Sequence, residues 1–194
     1  MPAAGRKRGQ PEIPEGNIVL VGLMGAGKSC IGRKLAQRLR LPFVDADAEI
    51  EKAAGCSISE IFEEHGEQAF RDGERRVIAR PLDQKVEIGT QPDRNRAGGA
   101  YMDPETRKAI AARAVSIWLR ADLDLLVQRT GRRDTRPLLK TGDPRQILGR
   151  LIDQRYPVYA EADITVDSLD APAEKTVKRV LDALRAHGRE AAAQ

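Results

Sequence analysis

Gly22-Leu23-Met24-Gly25-Ala26-Gly27-Lys28-Ser29 has the form G-x-x-x-x-G-K-[ST], and its flanks decide how the rest of the chain is read. Before it lies Asn17-Ile18-Val19-Leu20-Val21, with the apolar, β-branched character of a buried strand. After it come Ile31, Leu35 and Leu39 at spacings of four, one face of an amphipathic helix. Strand, Gly-rich turn and helix start, in that order, make a phosphate cradle. The glycines reach φ > 0 without a Cβ clash and leave backbone N–H groups free for phosphate oxygens. The helix N-terminus adds partial positive charge. Lys28 is placed to reach the β- and γ-phosphates and the Ser29 hydroxyl to ligate Mg²⁺. The chain therefore reads as a nucleotide binder.

Composition narrows the class. A length of 194 residues with 41% hydrophobic content suits one compact domain. No apolar run approaches the ~20 residues of a membrane span, and the N-terminus lacks the apolar core of a secretion signal, so the expected location is cytoplasmic, with no membrane partner. Cys30 and Cys56 show no metal-ligand spacing and are expected to be reduced, Cys30 packing on the first helix. His65 and His187 each stand alone, so no metal set forms around them. The net charge of +4 comes from 33 basic against 29 acidic residues, and Arg6, Lys7 and Arg8 supply most of the excess. The one Trp, three Tyr and three Phe lie outside basic clusters, which argues against a nucleic-acid partner. The arginines read instead as anion receivers for a small substrate. Residues 1–16, with Pro2, Pro11 and Pro14, read as a disordered basic leader and 188–194 as a frayed tail, leaving 17–187 as the domain.

Along that domain, strands and helices alternate. Leu41–Asp45 reads as a second strand ending in acid, and 47–53, 57–64 and 67–79 as helices, the second opened by a capping box of Ser57 and Glu60. Asp103-Pro104 opens another helix as cap and first-turn proline. Val115–Leu119 is a strand, Leu123–Gln128 a helix, Thr130–Asp143 a polar Arg-rich loop, and Pro144–Tyr159 a helix. Ala162–Asp167 is the last strand and Ala173–Ala186 the last helix. This βαβα order with apolar strands implies a parallel sheet covered on both faces. Ligands of such sheets sit beyond the carboxyl ends of the strands. Asp45 and Asp47 pass that test. Two residues apart at the end of an extended segment, they can point the same way, one towards Mg²⁺ and one towards a substrate hydroxyl. The other role open to Asp47 is capping the next helix.

Five further stretches join the loop: Phe43-Val44-Asp45-Ala46-Asp47, Phe62 through Arg71, Gly98-Gly99-Ala100, Arg136-Pro137-Leu138-Leu139 and Arg155-Tyr156-Pro157-Val158-Tyr159. With Gly25-Ala26-Gly27-Lys28-Ser29 they resemble, in order and over about residues 17–185, the shikimate kinase family. The resemblance implies a P-loop NTPase-type three-layer α/β/α sandwich with a five-stranded parallel sheet and a mobile Arg-rich lid near 130–143. It implies a monomer that transfers the γ-phosphoryl group of ATP to the 3-hydroxyl of shikimate, with Mg²⁺ as cofactor. In that reading Gly25, Ala26, Gly27, Lys28, Ser29 and Cys30 hold the nucleotide, with Arg129 on adenine and Arg136 on the phosphates. Ser29 and Asp45 hold the metal, while Asp47, Arg71, Gly98 and Arg155 hold shikimate. Lys28, Asp47 and Arg136 carry the catalytic roles. The chemistry agrees, because guanidinium forks grip a carboxylate bidentately and Asp47 can accept from ring hydroxyls.

One stretch departs from the family. Relatives run a Val-Ile-Ala-Thr strand into three glycines, whereas residues 81–97 are polar and Ala97 precedes only Gly98 and Gly99. Two explanations stand. Either this is an insertion in which Val86-Glu87-Ile88 serves as a weak strand, or the reading frame is altered, since codons for Pro92–Ala97 can be chosen that encode Pro-Thr-Val-Ile-Ala-Arg in the next frame.

Overall fold

The computed structural model describes residues 17–57, 60–61, 63–66, 72–73, 87–89, 100–131 and 143–193. The 1–16 leader, residues 132–142 of the expected lid, and the expected helix 67–79 apart from 72–73 lie outside them.

Asn17–Val21 forms β1, and all five of its residues are buried. Such a strand needs cover on both faces, as its unbroken apolar run dictates. It lies at the middle of a sheet with strand order β2-β3-β1-β4-β5, where β2 is Phe43–Asp45, β3 Glu87–Gly89, β4 Ala114–Arg120 and β5 Ile164–Asp167. Every neighbouring pair is parallel. Helices follow the strands: α1 Lys28–Leu39, α2 Ala46–Ala54, α3 Pro104–Arg113, α4 Leu123–Gly131, α5 Pro144–Tyr159 and α6 Ala173–Ala192. α1 packs with α6, while α4 packs with α5, and a 3₁₀ turn at Ala100–Met102 joins α3 and α5.

Within the departing stretch 81–97, residues 87–89 are described and form a strand. Glu87–Gly89 takes the place between β1 and β2, pairing Ile18 with Glu87 and Leu20 with Gly89 on one side, and Phe43 with Glu87 and Asp45 with Gly89 on the other. The central position is therefore filled, by three of the described residues. Two other boundaries differ from the sequence reading. α2 begins at Ala46, directly after the strand, and α6 runs through Ala192 rather than ending at Ala186. Residues 188–192, expected to fray, prolong that helix because Arg-Glu-Ala-Ala is a strong local helix former.

Local chemistry read from sequence reappears as bonds. Asp103 caps α3 by accepting from Thr106 N at 2.9 Å and Thr106 Oγ1 at 2.7 Å. Ser57 N donates to Glu60 Oε2 at 2.6 Å, and Glu60 N donates to Ser57 Oγ at 3.3 Å, the reciprocal capping box. Ser57 holds the Glu60 carboxyl below its usual range. A third feature was not foreseen. Asp163, ahead of β5, accepts from both Ser116 N (2.8 Å) and Ser116 Oγ (2.6 Å), extending the β4–β5 pairing beyond the ladder. Ser116 is buried, so Asp163→Ala is expected to destabilise the fold by roughly 1–2 kcal/mol. The check is a melting temperature lowered by about 3–6 °C.

Candidate active site

β1 delivers the chain to Gly22, whose φ is 143° and where an added Cβ would lie 2.7 Å from the Leu119 carbonyl of β4. No side chain fits there, so the strand can turn into the loop only at a glycine. Gly25 and Gly27 follow with φ of 86° and 96°. Gly27 is the N-cap of α1 and offers no side-chain cap, so the first-turn N–H groups face the loop uncapped from within it. Lys28 is 2% exposed. A buried ammonium must be hydrogen-bonded. Its Nζ donates to Gly22 O at 2.7 Å and Leu23 O at 3.2 Å, which folds the side chain back over its own loop. Ser29 is half-buried in the first turn of α1, next to Cys30. Cys30, expected to pack on that helix, is exposed instead, because Ile31 and Leu35 claim the inward face.

β2 ends at Asp45, and both of its carboxylate oxygens are buried. Arg33 Nη2 lies 4.0 Å from Oδ2, and the same guanidinium sits over the Phe43 ring at 5.7 Å. Asp45 holds the N-cap position of α2 yet makes no side-chain capping bond. This corrects the reading of Asp47 twice over. Asp47 falls inside the first turn of α2, so it is not the cap, and it does not share an extended segment with Asp45.

On the other side of β1, α5 carries Arg155, which is half-buried, beside two tyrosines that face inward. The Tyr156 hydroxyl donates to the Ala121 carbonyl just beyond β4, and its ring meets Trp118 edge-on at 4.8 Å. Tyr159 is fully buried against Trp118 and Tyr101, each 6.2 Å between centroids. Burial pushes the Tyr156 and Tyr101 phenols up, keeping both protonated. These rings pin the inward face of α5, the helix that carries Arg155. The 3₁₀ turn directly after Gly98-Gly99 is held by Arg107, whose Nη1 donates to Tyr101 O and Met102 O at 2.9 Å each, while Nε pairs with Glu161 at 2.9 Å.

Arg129, at the end of α4, reaches the loop itself. Its Nη1 donates to Gly25 O at 3.3 Å and Ser168 Oγ at 2.9 Å, and its Nη2 to Leu169 O. The structure thus brings Gly25 through Cys30 and Arg129 together. It places Asp45 at the carboxyl end of β2 and Asp47 in the next turn. Arg71, Gly98 and Arg136 lie outside the described residues. Ser168, buried immediately after β5, escaped the sequence reading. Its place after a strand was the available signal, but an uncharged side chain did not stand out.

The family question is decided by comparison with known proteins. The family model for shikimate kinase matches residues 24–185. The chain belongs to the shikimate kinase family. A shikimate kinase of Paramagnetospirillum magneticum is 61% identical over 168 residues, covering 86% of this chain and 83% of that protein. One from Bradyrhizobium diazoefficiens is 57% identical over 172 residues, 88% of this chain and 80% of the relative. A solved shikimate kinase from Acinetobacter baumannii, in complex with shikimate, is 36% identical with a TM-score of 0.77, covering 86% of this chain and 91% of the other. Shikimate kinases are phosphotransferases that act on a hydroxyl group with ATP as donor, and the loop of this member has the build such a donor needs.

Proposed function

We propose that this chain phosphorylates the 3-hydroxyl of shikimate with ATP, releasing shikimate 3-phosphate and ADP. The observation that carries the reading is the loop at the end of β1. It has a buried Lys28 turned over its own carbonyls, in a chain whose domain aligns with shikimate kinases along most of its length.

Phosphoryl transfer asks little covalent chemistry of a protein; it asks for alignment and for neutralised charge on the γ-phosphoryl oxygens. Lys28 supplies charge at the donor, joined by Arg136. Loop N–H groups from Gly25 to Cys30 hold the phosphates, and Arg129 borders the adenine. Ser29 and Asp45 offer a hydroxyl and a buried carboxylate, hard oxygen donors that suit Mg²⁺, which takes few protein ligands and completes its shell with phosphate and water. Held there, the ion would supply positive charge to offset that of the phosphate oxygens. At the acceptor, Arg71 and Arg155 grip the carboxylate of shikimate. Gly98 lets backbone approach the ring, and Asp47 accepts from a ring hydroxyl and orients it. Asp47 acts here as an orienting group, since a loose transition state demands little basicity.

The enzyme is proposed to work as a cytoplasmic monomer. The family resemblance supports the monomer, and the charge and hydropathy pattern supports the location; no helix among the described residues is long and apolar enough to cross a membrane. A coupled assay of ADP release tests the reaction. Release that requires shikimate supports it; release with gluconate and not shikimate, or none with tight ATP binding, overturns it.

A further inference from the structure

Ala26 lies between two glycines of positive φ, Gly25 and Gly27. A peptide plane with such neighbours can turn over with little steric opposition, and a turned plane offers a carbonyl to phosphate where an N–H is needed. Five carbonyls of the loop, those of Gly22, Leu23, Gly25, Ala26 and Gly27, accept hydrogen bonds. Gly22 O and Leu23 O accept from Lys28 Nζ, Leu23 O also from Ala26 N at 3.1 Å, and Gly27 O from Ile31 N at 2.9 Å. Those restraints are local in sequence. Of the three carbonyls between them, two are held from far along the chain. Gly25 O accepts from Arg129 Nη1, and Ala26 O accepts from Ser168 Oγ at 2.9 Å.

Ser168 is built for that contact. It is 6% exposed and is fixed by its own N–H, which donates to Arg120 O at 2.7 Å at the end of β4. Its single hydroxyl proton goes to Ala26 O, and its lone pair accepts from Arg129 Nη1 at 2.9 Å. The charged donor strengthens the hydroxyl as a donor in turn. With no cis peptide in the described chain, C=O and N–H point to opposite edges of each plane. Holding Ala26 O outward therefore turns the Gly27 N–H away from Ser168, into the loop.

We propose that Ser168 is a positioning residue for phosphoryl transfer, its hydroxyl locking the Ala26–Gly27 peptide plane so that the Gly27 N–H faces the nucleotide phosphates. Ser168 acts through the loop and does not itself touch the reacting atoms. The inference rests on the proposed reading of the loop as the ATP site. It requires an oxygen at position 168, not merely a small side chain. Threonine and valine, equal in shape and different in the hydroxyl, are the decisive pair.

The experiment compares wild type, Ser168→Ala, Ser168→Thr and Ser168→Val by ADP calorimetry, by KM for ATP and for shikimate, and by melting temperature. Expected for Ser168→Ala and Ser168→Val is a rise of roughly tenfold in ADP Kd and ATP KM, with the shikimate KM unchanged. Ser168→Thr should restore both. The proposal is overturned if Ser168→Val binds ADP as tightly as Ser168→Thr, or if both substrates' KM values worsen together in step with a lower melting temperature. A wild-type protein that does not phosphorylate shikimate would count against the reaction, and the ADP comparison would still decide the role of Ser168.

Discussion

Asp47→Asn is expected to lower kcat by roughly 10²–10⁴-fold, the range set by losing a group that handles the acceptor's proton or hydroxyl in the transition state. The substitution keeps size and hydrogen-bonding reach but removes the anion. A bond from the shikimate hydroxyl to a carboxylate is charge-assisted, and one to an amide is not. The fold should not suffer. The capping position of α2 belongs to Asp45, so Asp47 does not close the helix start, and Asn is tolerated in a first turn. ATP binding draws on the loop after β1 and should change by no more than about twofold in Kd. Single-turnover kinetics with ATP titration separates the two quantities. Near-normal turnover would remove Asp47 from the acceptor site, and loss of ATP binding in parallel would make it a structural residue.

Lys28→Met should be nearly as damaging, by a different route. Lys28 is the buried cation of the loop, and its loss takes one preorganised donor from the transferring phosphoryl group, an effect of roughly 10²–10³-fold in kcat. Methionine retains the length and packing of the side chain. It leaves Gly22 O and Leu23 O without the ammonium that now bonds them. That loss is offset in part, because a buried ammonium is itself costly to desolvate. The expected signature is a large fall in kcat with weakened ATP binding and a change in melting temperature of only a few degrees, about what a 1 kcal/mol change produces in a chain of this size. Arginine at the same position should not rescue, since its planar fork does not replace a compact ammonium point charge.

What the sequence made legible was local. The loop at 22–29, the strand before it, the caps at Asp103 and at Ser57 with Glu60, and the βαβα order all rest on residues a few positions apart. Their physics is short-ranged, so spacing was enough. Three things were legible only in part or not at all, for the same reason. From sequence the strand at Glu87–Gly89 stands as one of two alternatives, through Val86-Glu87-Ile88, because the stretch is polar where a central strand is usually apolar; its placement comes from pairing with β1 and β2 on both sides. The start of α2 one residue after β2 moved Asp47 from strand end to helix, a boundary that propensity does not fix. Arg129 and Ser168 meet the loop across 104 and 142 residues of sequence, distances over which no periodicity speaks.

The family motif Arg155 through Tyr159 divides in the structure. Its arginine stays half-buried on α5 while Tyr156 and Tyr159 turn into an aromatic cluster with Trp118 and Tyr101. A motif read as a binding signature is thus partly an anchor. The same holds at Arg107, which spans the 3₁₀ turn after Gly98-Gly99 and the Glu161 carboxylate.

The most direct test of the assigned reaction is ³¹P NMR of a mixture of the protein with ATP, Mg²⁺ and shikimate. The account predicts a new phosphomonoester resonance that grows as the γ-phosphate signal falls, coupled to the proton on carbon 3 of the ring. Inorganic phosphate as the sole new signal, or an unchanged ATP spectrum, would contradict it.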